Sequence, residues 1–505
     1  MPEEFELDVD ELAKELREHQ RLTGRSSDED SSNGMTRREL LVKGGAGAAA
    51  VSGLGAMAGR AAAAAPASTS KSGKFTGTLV VNTLGVEWPA GVQQQAEKDL
   101  GFKFKVNALS SVAQVQQVVT APEAFDIFGG YNYQDMQAWG SKHLQPIDTK
   151  KIKAWGQLYK LFAYGKLNPS SKVCTYGQGD APFRALFLKQ GTSGLPLSKE
   201  GPTTNHDIVE WINEANGKPR GPMPRYVVGI PAHFNMDSMG YLGDVINLPP
   251  NKVSWAQLLN KKWKGRVALL NDPGIAMQDA GQAAKALGLF NPKDMGNMTK
   301  PEIDKIVKLL IKYKKAGQFK AFWSTFNESV TFMSSREVVI ESMWSPAVAL
   351  LTAQGVPVRY AAPVEGFRGW CSAQGISSAV TDPVKLQACY DYLNWMYDGF
   401  LGAAIMRQGY YIGNGATLLS WIKKNGTAKP YAGHAFTAAE YDFWYNGKPA
   451  AANLPGITGH VGDVKKGQVR DGGSFTQRAC HYASWNSYFR ESVYQVKRFN
   501  DFLSS

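Results

Sequence analysis

Thr78-Leu79-Val80-Val81-Asn82 is a short apolar run of the kind that fills a buried strand. Trp88 to Leu100 follows with helical periodicity and stops at Gly101. Phe102-Lys103-Phe104-Lys105-Val106 then alternates as a half-buried strand does. Strand, helix and strand in that order make a βαβ opening, which predicts a parallel sheet and an α/β class. Val112 to Val119 adds a helix, and Phe125-Asp126-Ile127-Phe128 a strand closed by Gly129-Gly130.

Working outward, clear helices and strands return from Val253 to Leu401, and a terminal helix is predicted from Trp485 to Phe502. The stretches Asn168 to Arg225 and Pro449 to Gly473 are loop-like and read as insertions. No internal repeat is visible. A chain of 505 residues exceeds one ordinary domain, and 43% hydrophobic with 20% charged residues excludes wholesale disorder.

The N-terminal 67 residues read as separate from the main fold. Residues 1–34 hold eleven acidic and four basic groups, so they form an acidic leader expected to be disordered, apart from a short amphipathic helix between Phe5 and Leu22. Met35 directly precedes Thr36-Arg37-Arg38, so the leader is either an extension or upstream of the true start. Residues 35–67 combine paired arginines, a Gly- and Ala-rich stretch from Gly44 to Gly59, and small residues at Ala65-Pro66-Ala67. This resembles a twin-arginine export signal, with Leu40 where Phe is common and Lys43 one place late. The stretch of 16 residues falls short of the ~20 apolar residues that a membrane span needs. Export to the periplasm, with cleavage near Ala65–Ala67, is the expectation, and the export machinery is then a partner. Gly45-Ala46-Gly47 follows no strand and is not a nucleotide loop.

Removing residues 1–67 leaves 48 basic against 32 acidic residues, a charge of +16 on the remainder. The basic residues are dispersed without a long run, so nucleic acid is not expected as a partner. Cys174, Cys371, Cys389 and Cys480 allow two disulfides in three pairings or buried free thiols. No metal or cofactor site is expected, since no spacing of His and Cys suits a ligand set.

Specific motifs then match one family in order. Ser254 to Pro273 (SWAQLLNKKWKGRVALLNDP) resembles the polyamine-type, spermidine/putrescine-binding-like extracellular solute-binding proteins of ABC transporters. Gly229-Ile230-Pro231 with Ser238-Met239-Gly240, Glu337 to Trp344 (EVVIESMW), and Tyr360 to Ile376 continue the likeness. Gly409-Tyr410 with Asn414, and Trp485-Asn486, complete it over residues 75–503. The resemblance implies the type II periplasmic-binding-protein fold, with two α/β lobes and two crossing strands as hinge. The crossings fall near Ala232–Asp237 and Trp370–Ile376. The lobes are expected to be discontinuous, residues 75–232 plus about 376–450 for the first and 237–370 plus about 475–505 for the second.

The implied function is capture of a small cationic or zwitterionic organic solute between the lobes and delivery to the permease subunits of an ABC importer, by a monomer with no catalytic residues. By the same resemblance, Tyr131, Trp344, Trp370, Tyr410 and Trp485 occupy cleft-aromatic positions. Ring faces attract ammonium groups by roughly 0.5–2 kcal/mol each. Asp272 matches one acidic pocket residue. Ile275 and Ser372 stand where the polyamine members carry further carboxylates, and Asp237 on the crossing strand is the candidate for a relocated one. Arg368 beside Trp370 suits an anionic group. The losses favour one cationic centre or a zwitterion over a full polyamine. An exported two-lobe enzyme, a non-transport ligand sensor and an adaptor are the rival classes, though no nucleophile elbow, H-E-x-x-H or Walker loop is present.

Overall fold

The computed structural model describes residues 9–23, 74–89, 91–175, 177–179, 181–185, 187–188, 212–213, 218–219, 221–486 and 489–505. Arg37, Arg38, the stretch from Gly44 to Gly59 and the Ala65–Ala67 site lie outside the described residues.

The βαβ opening forms as its pattern predicts. Thr78–Thr83 and Lys103–Ala108 pair in parallel, from Thr78 opposite Lys103 to Thr83 opposite Ala108. The intervening helix Val92–Leu100 buries Val92 and Ala96 and ends at Gly101, whose φ of 79° is one that a side chain resists. Ile127–Tyr131 joins the other side of Thr78–Thr83, also in parallel. A second parallel set consists of Val267–Leu270 between Phe319–Trp323 and Ile340–Met343. Each set is the sheet of one α/β lobe.

Two long strands join the lobes. Ile230–Leu242 and Phe367–Ser377 are buried along their whole lengths. They pair antiparallel from Ile230 opposite Gln374 to Asp237 opposite Arg368. Beyond Asp237 the first strand pairs with Ile340–Met343 and Val358–Tyr360 of the second lobe. From Ser372 onward the second strand pairs with Ile127–Tyr131 of the first. Ala232–Asp237 and Trp370–Ile376 lie within these two strands. Side chains alternate along a strand, so His233, Asn235 and Asp237 share one face although all three are polar and buried. Buried polar groups require partners, which makes that face the place to look for a site.

The helix expected in the leader forms, but it is not separate from the main fold. Val9–Leu22 is a helix, and Leu12 and Leu16 on its apolar stripe are buried in the common core. It packs against the helix Ser111–Thr120 of the first lobe and the terminal helix Ser492–Ser504 of the second. Burying a leucine is worth about 1.5–3 kcal/mol, enough to hold a short helix on a preformed surface.

The C-terminal return touches both lobes. Phe475 packs on Phe234 and Tyr411, and Tyr482–Trp485 runs parallel to the second long strand. Ser492–Ser504 packs on the second lobe, against Pro273–Ala286 and Lys300–Lys315, and Ser484 and Trp485 bond Gln278 of the same lobe. The insertion near 430–475 is ordered. Thr437 caps the helix Ala438–Trp444, and its buried Glu440 pairs with buried Arg407 at 2.6 Å. Cys174 and Cys480 are disulfide-bonded, whereas Cys371 and Cys389 are buried thiols.

Candidate functional site

The shared polar face of the long strands meets a cluster of rings. Trp370 stands edge-on to Tyr131 at 5.2 Å, to His233 at 5.4 Å and to Tyr410 at 5.6 Å between ring centres. Tyr131 stacks on Tyr133 at 5.6 Å, and Tyr133 meets Phe489 at 4.8 Å. These separations are those of favourable edge and offset ring pairs. Three of the expected aromatic positions, Tyr131, Trp370 and Tyr410, therefore converge. The indole N–H of Trp370 and Nε2 of His233 are buried without a hydrogen-bond partner among the described residues.

Acidic groups border the rings. Ser372 Oγ donates to Glu87 Oε1 at 2.6 Å, and Thr83 Oγ1 donates to Oε2 at 2.6 Å. Burial pushes the Glu87 carboxyl up to about 7 despite those bonds. His233 lies 3.6 Å from Glu87, and burial drives its ring down to about 3, so it stays neutral. Sequence reasoning singled out neither residue for the site. The signal for Glu87 was its place in the turn after the first parallel strand, where ligands of α/β sheets gather. The carboxylate absent at position 372 is thus present across the cluster, hydrogen-bonded to the serine.

Asp237 shares Arg368 with Asp279. Arg368 Nε donates to Asp279 at 2.7 Å, and Nη2 lies 3.8 Å from Asp237. Asp279 also accepts from Ser342 Oγ at 2.6 Å, and Asp237 accepts from the Tyr360 hydroxyl at 3.3 Å. One guanidinium in direct contact with two carboxylates leaves a negative excess. Burial pushes Asp237 up to about 6, opposed chiefly by Arg368. Arg368 is therefore engaged with two protein carboxylates, while its Nη1 is buried without a hydrogen-bond partner among the described residues.

Asp272 bridges the lobes. As the cap of Pro273–Ala286 it accepts the Ile275 amide at 2.9 Å. From the first lobe it accepts the hydroxyls of Ser111 at 2.5 Å and Tyr133 at 3.1 Å. Trp344 stands outside the ring cluster, edge-on to Trp323 at 5.0 Å. Trp485 lies on the opposite face of the second long strand. A Cβ on Gly369 would meet its ring at 2.8 Å, and its indole N–H donates to the Gly165 carbonyl at 3.2 Å.

The ring cluster is closely filled, with Tyr131, Trp370 and Tyr410 each 1% exposed. Open space lies beside it. A cavity of about 370 Å³ runs between the helix Ser345–Ala353 and the inserted segment, lined among others by Ser345, Tyr360, Gly409, Trp444, Arg470 and Arg478. Tyr360 connects the two regions, since its ring lines the cavity while its hydroxyl donates to Asp237. A smaller space of about 30 Å³ lies at Asp272, Tyr133 and Phe489, walled in part by Leu16 of the leader helix.

A family model described as bacterial extracellular solute-binding protein matches residues 92–414. No curated protein matches the sequence. Among solved structures, a spermidine/putrescine ABC transporter substrate-binding protein of Streptococcus pneumoniae is similar at 14% identity, covering 64% of this chain and 78% of its own, with a TM-score of 0.39. The PBP AgtB of A. tumefaciens R10, solved with agropinic acid, is similar at 14% identity over 69% of this chain and 88% of its own, with a TM-score of 0.45. A lipoprotein of Treponema pallidum is similar at 10% identity over 68% and 88%, also with a TM-score of 0.45.

Proposed function

Because the chain belongs to the bacterial extracellular solute-binding family, we propose that it captures a small organic solute with a cationic or zwitterionic centre between its two lobes and delivers it to the permease subunits of an ABC importer. One observation carries the choice of solute. The rings of Trp370, Tyr131 and Tyr410 adjoin a negative excess, because Asp237 and Asp279 are both in contact with the single guanidinium of Arg368. An ammonium group admitted there when the lobes part would supply the missing positive charge and lie against the rings.

Capture works through the hinge. The long strands give each lobe a rigid connection, and Asp272 meets Ser111 and Tyr133 only when the lobes are together. A solute touching both lobes adds to those contacts in the closed state and shifts the population towards it. The permease would then recognise the closed form. Export by the twin-arginine route, with cleavage near Ala65–Ala67, belongs to the same proposal. Among the described residues no helix is long and apolar enough to cross a membrane.

Thermal-shift titration with putrescine and with 5-aminovalerate tests the solute class. A probe at a hundred times its Kd stabilises by about 2.7 kcal/mol. A rise in Tm that is lost in Trp370→Ala supports the proposal. An equal rise in that variant, or none with either probe, contradicts it.

A further inference from the structure

The cavity of about 370 Å³ carries four arginines on its wall, and they differ in one respect. Arg359 is paired with Asp471 and Arg407 with Glu440. Arg470 and Arg478, 7% and 1% exposed, have no carboxylate at ion-pair distance among the described residues. Arg470 donates to the Tyr411 hydroxyl at 2.5 Å, the Gly409 carbonyl at 2.7 Å and the Trp444 carbonyl, all neutral. Arg478 donates to the carbonyls of Met236 at 2.9 Å and Asp471 at 3.1 Å and to the Asn235 side chain at 3.4 Å, while its Nε is buried without a partner. Burial drives Arg470 down to about 10, and Arg478 contributes to that shift. A buried charge is retained where something compensates it.

The carboxylates on the wall do not fill this role. Asp471 is held by Arg359 and the Tyr360 amide, and Asp463 is turned onto Thr458 at 2.7 Å. Most of the remaining wall is apolar, formed by Val348, Ala349, Val358, Phe443 and Ile457. We infer that this cavity is a second ligand site, taking the carboxylate of a small organic anion, with Arg470 and Arg478 holding the anionic group and the apolar wall covering its body. Arginine suits this role because its planar fork matches a carboxylate. The site does not depend on an amine being bound at the ring cluster.

Calorimetry on the full chain with benzoate, and with neutral benzamide as its near-isostere, tests the assignment. Benzoate binds at least tenfold more tightly than benzamide, and Arg470→Met removes at least tenfold of its affinity. Ala349→Trp fills the cavity while leaving both arginines in place, and it too abolishes benzoate binding. Equal affinity for the two probes, or benzoate binding unmoved by Ala349→Trp, overturns the proposal. Benzoate binding without any response to putrescine or 5-aminovalerate would sink the solute reading above and leave this one standing, and the reverse pattern would sink this one alone.

The leader helix carries a separate inference. Val9–Leu22 touches both lobes, through Ser111–Thr120 and Ser492–Ser504, beside the Asp272 bridge. His19 Nδ1 lies 3.0 Å from Asn500 Oδ1, and Asn500 Nδ2 donates to the Glu15 carbonyl at 3.0 Å. The geometry points to an intramolecular strap that holds the lobes together beside Asp272 in the uncleaved chain and is released by cleavage near Ala65–Ala67, a role resting on the lobe motion and export proposed above. Hydrogen exchange on the full chain, without ligand, tests it in Leu12→Glu/Leu16→Glu and, as a milder change, Asn500→Ala. At least tenfold faster exchange of the Ile275 amide, which is bonded to Asp272, is expected in the double variant, with a smaller increase in Asn500→Ala. Exchange unchanged in both variants overturns the strap, whatever the outcome of the ligand titrations.

Discussion

The ring cluster and the neighbouring cavity share Tyr360 but are built oppositely. The cluster is filled and rich in carboxyl groups, with Glu87 on Ser372 and with Asp237 and Asp279 sharing Arg368. The cavity is open, largely apolar and bordered by Arg470 and Arg478 without contacting carboxylates. The two regions meet where Arg478, bonded to Asn235 and Met236, acts on the neighbouring Asp237. The cluster lies on the crossing strands, whereas much of the cavity wall comes from the inserted segment.

The largest expected effect tests the negative side. Arg368→Met leaves Asp279 and Asp237 buried without their cation, and loss of one partner of a buried pair costs about 3–5 kcal/mol. Chemical denaturation at pH 7 should show that loss, and a smaller one at pH 4, where Asp237 is protonated. No difference between the two pH values would remove the claimed charge excess.

The pH profile sharpens the same point. Burial raises Asp237 from 3.8 to about 6, so the folded state binds a proton more tightly than the unfolded state. Stability therefore falls as pH rises from about 4 to 6, by about 3 kcal/mol for a shift of this size. Glu87, raised from 4.5 to about 7, loses stability over a window from about 4.5 to 7. Asp237→Asn and Glu87→Gln should each flatten their own window in denaturation curves taken across pH.

The smallest effect lies on the cavity side. Gly409 has a φ of 86°, and a Cβ there would meet Ser345 Oγ and Trp444 at 3.3 Å. Gly409→Ala should cost about 1–2 kcal/mol from the left-handed backbone. It should also weaken benzoate more than an amine probe, because the clash is with the cavity wall.

Much of this arrangement was legible in the residues. The βαβ opening follows a local pattern, and ordered motifs single out Tyr131, Trp370 and Tyr410, whose rings meet. Asp279 left no signal, since a lone acid among the alanines of Pro273–Ala286 reads as solvent-facing until Arg368 is placed opposite it. Glu87 and His233 escaped notice because their partners are distant in the chain, Ser372 being 285 residues from Glu87. The apolar stripe of Leu12 and Leu16 was readable as a helix, but periodicity says nothing of what a helix packs against. Trp344 and Trp485 illustrate the converse. Their motifs place them near the site, yet their rings contact Trp323 and Tyr482 rather than Trp370.

The most direct test of solute capture at the negative cluster is the proton released on binding. At pH 6 Asp237 is half protonated, and an ammonium group beside it favours the carboxylate, releasing up to about half a proton. Calorimetry of 5-aminovalerate at pH 6, in two buffers of different ionisation enthalpy, measures that release. The account predicts binding with proton release in the unmodified chain and a clearly smaller release in Asp237→Asn. Binding with no net proton change, or with the same release in both proteins, would contradict it.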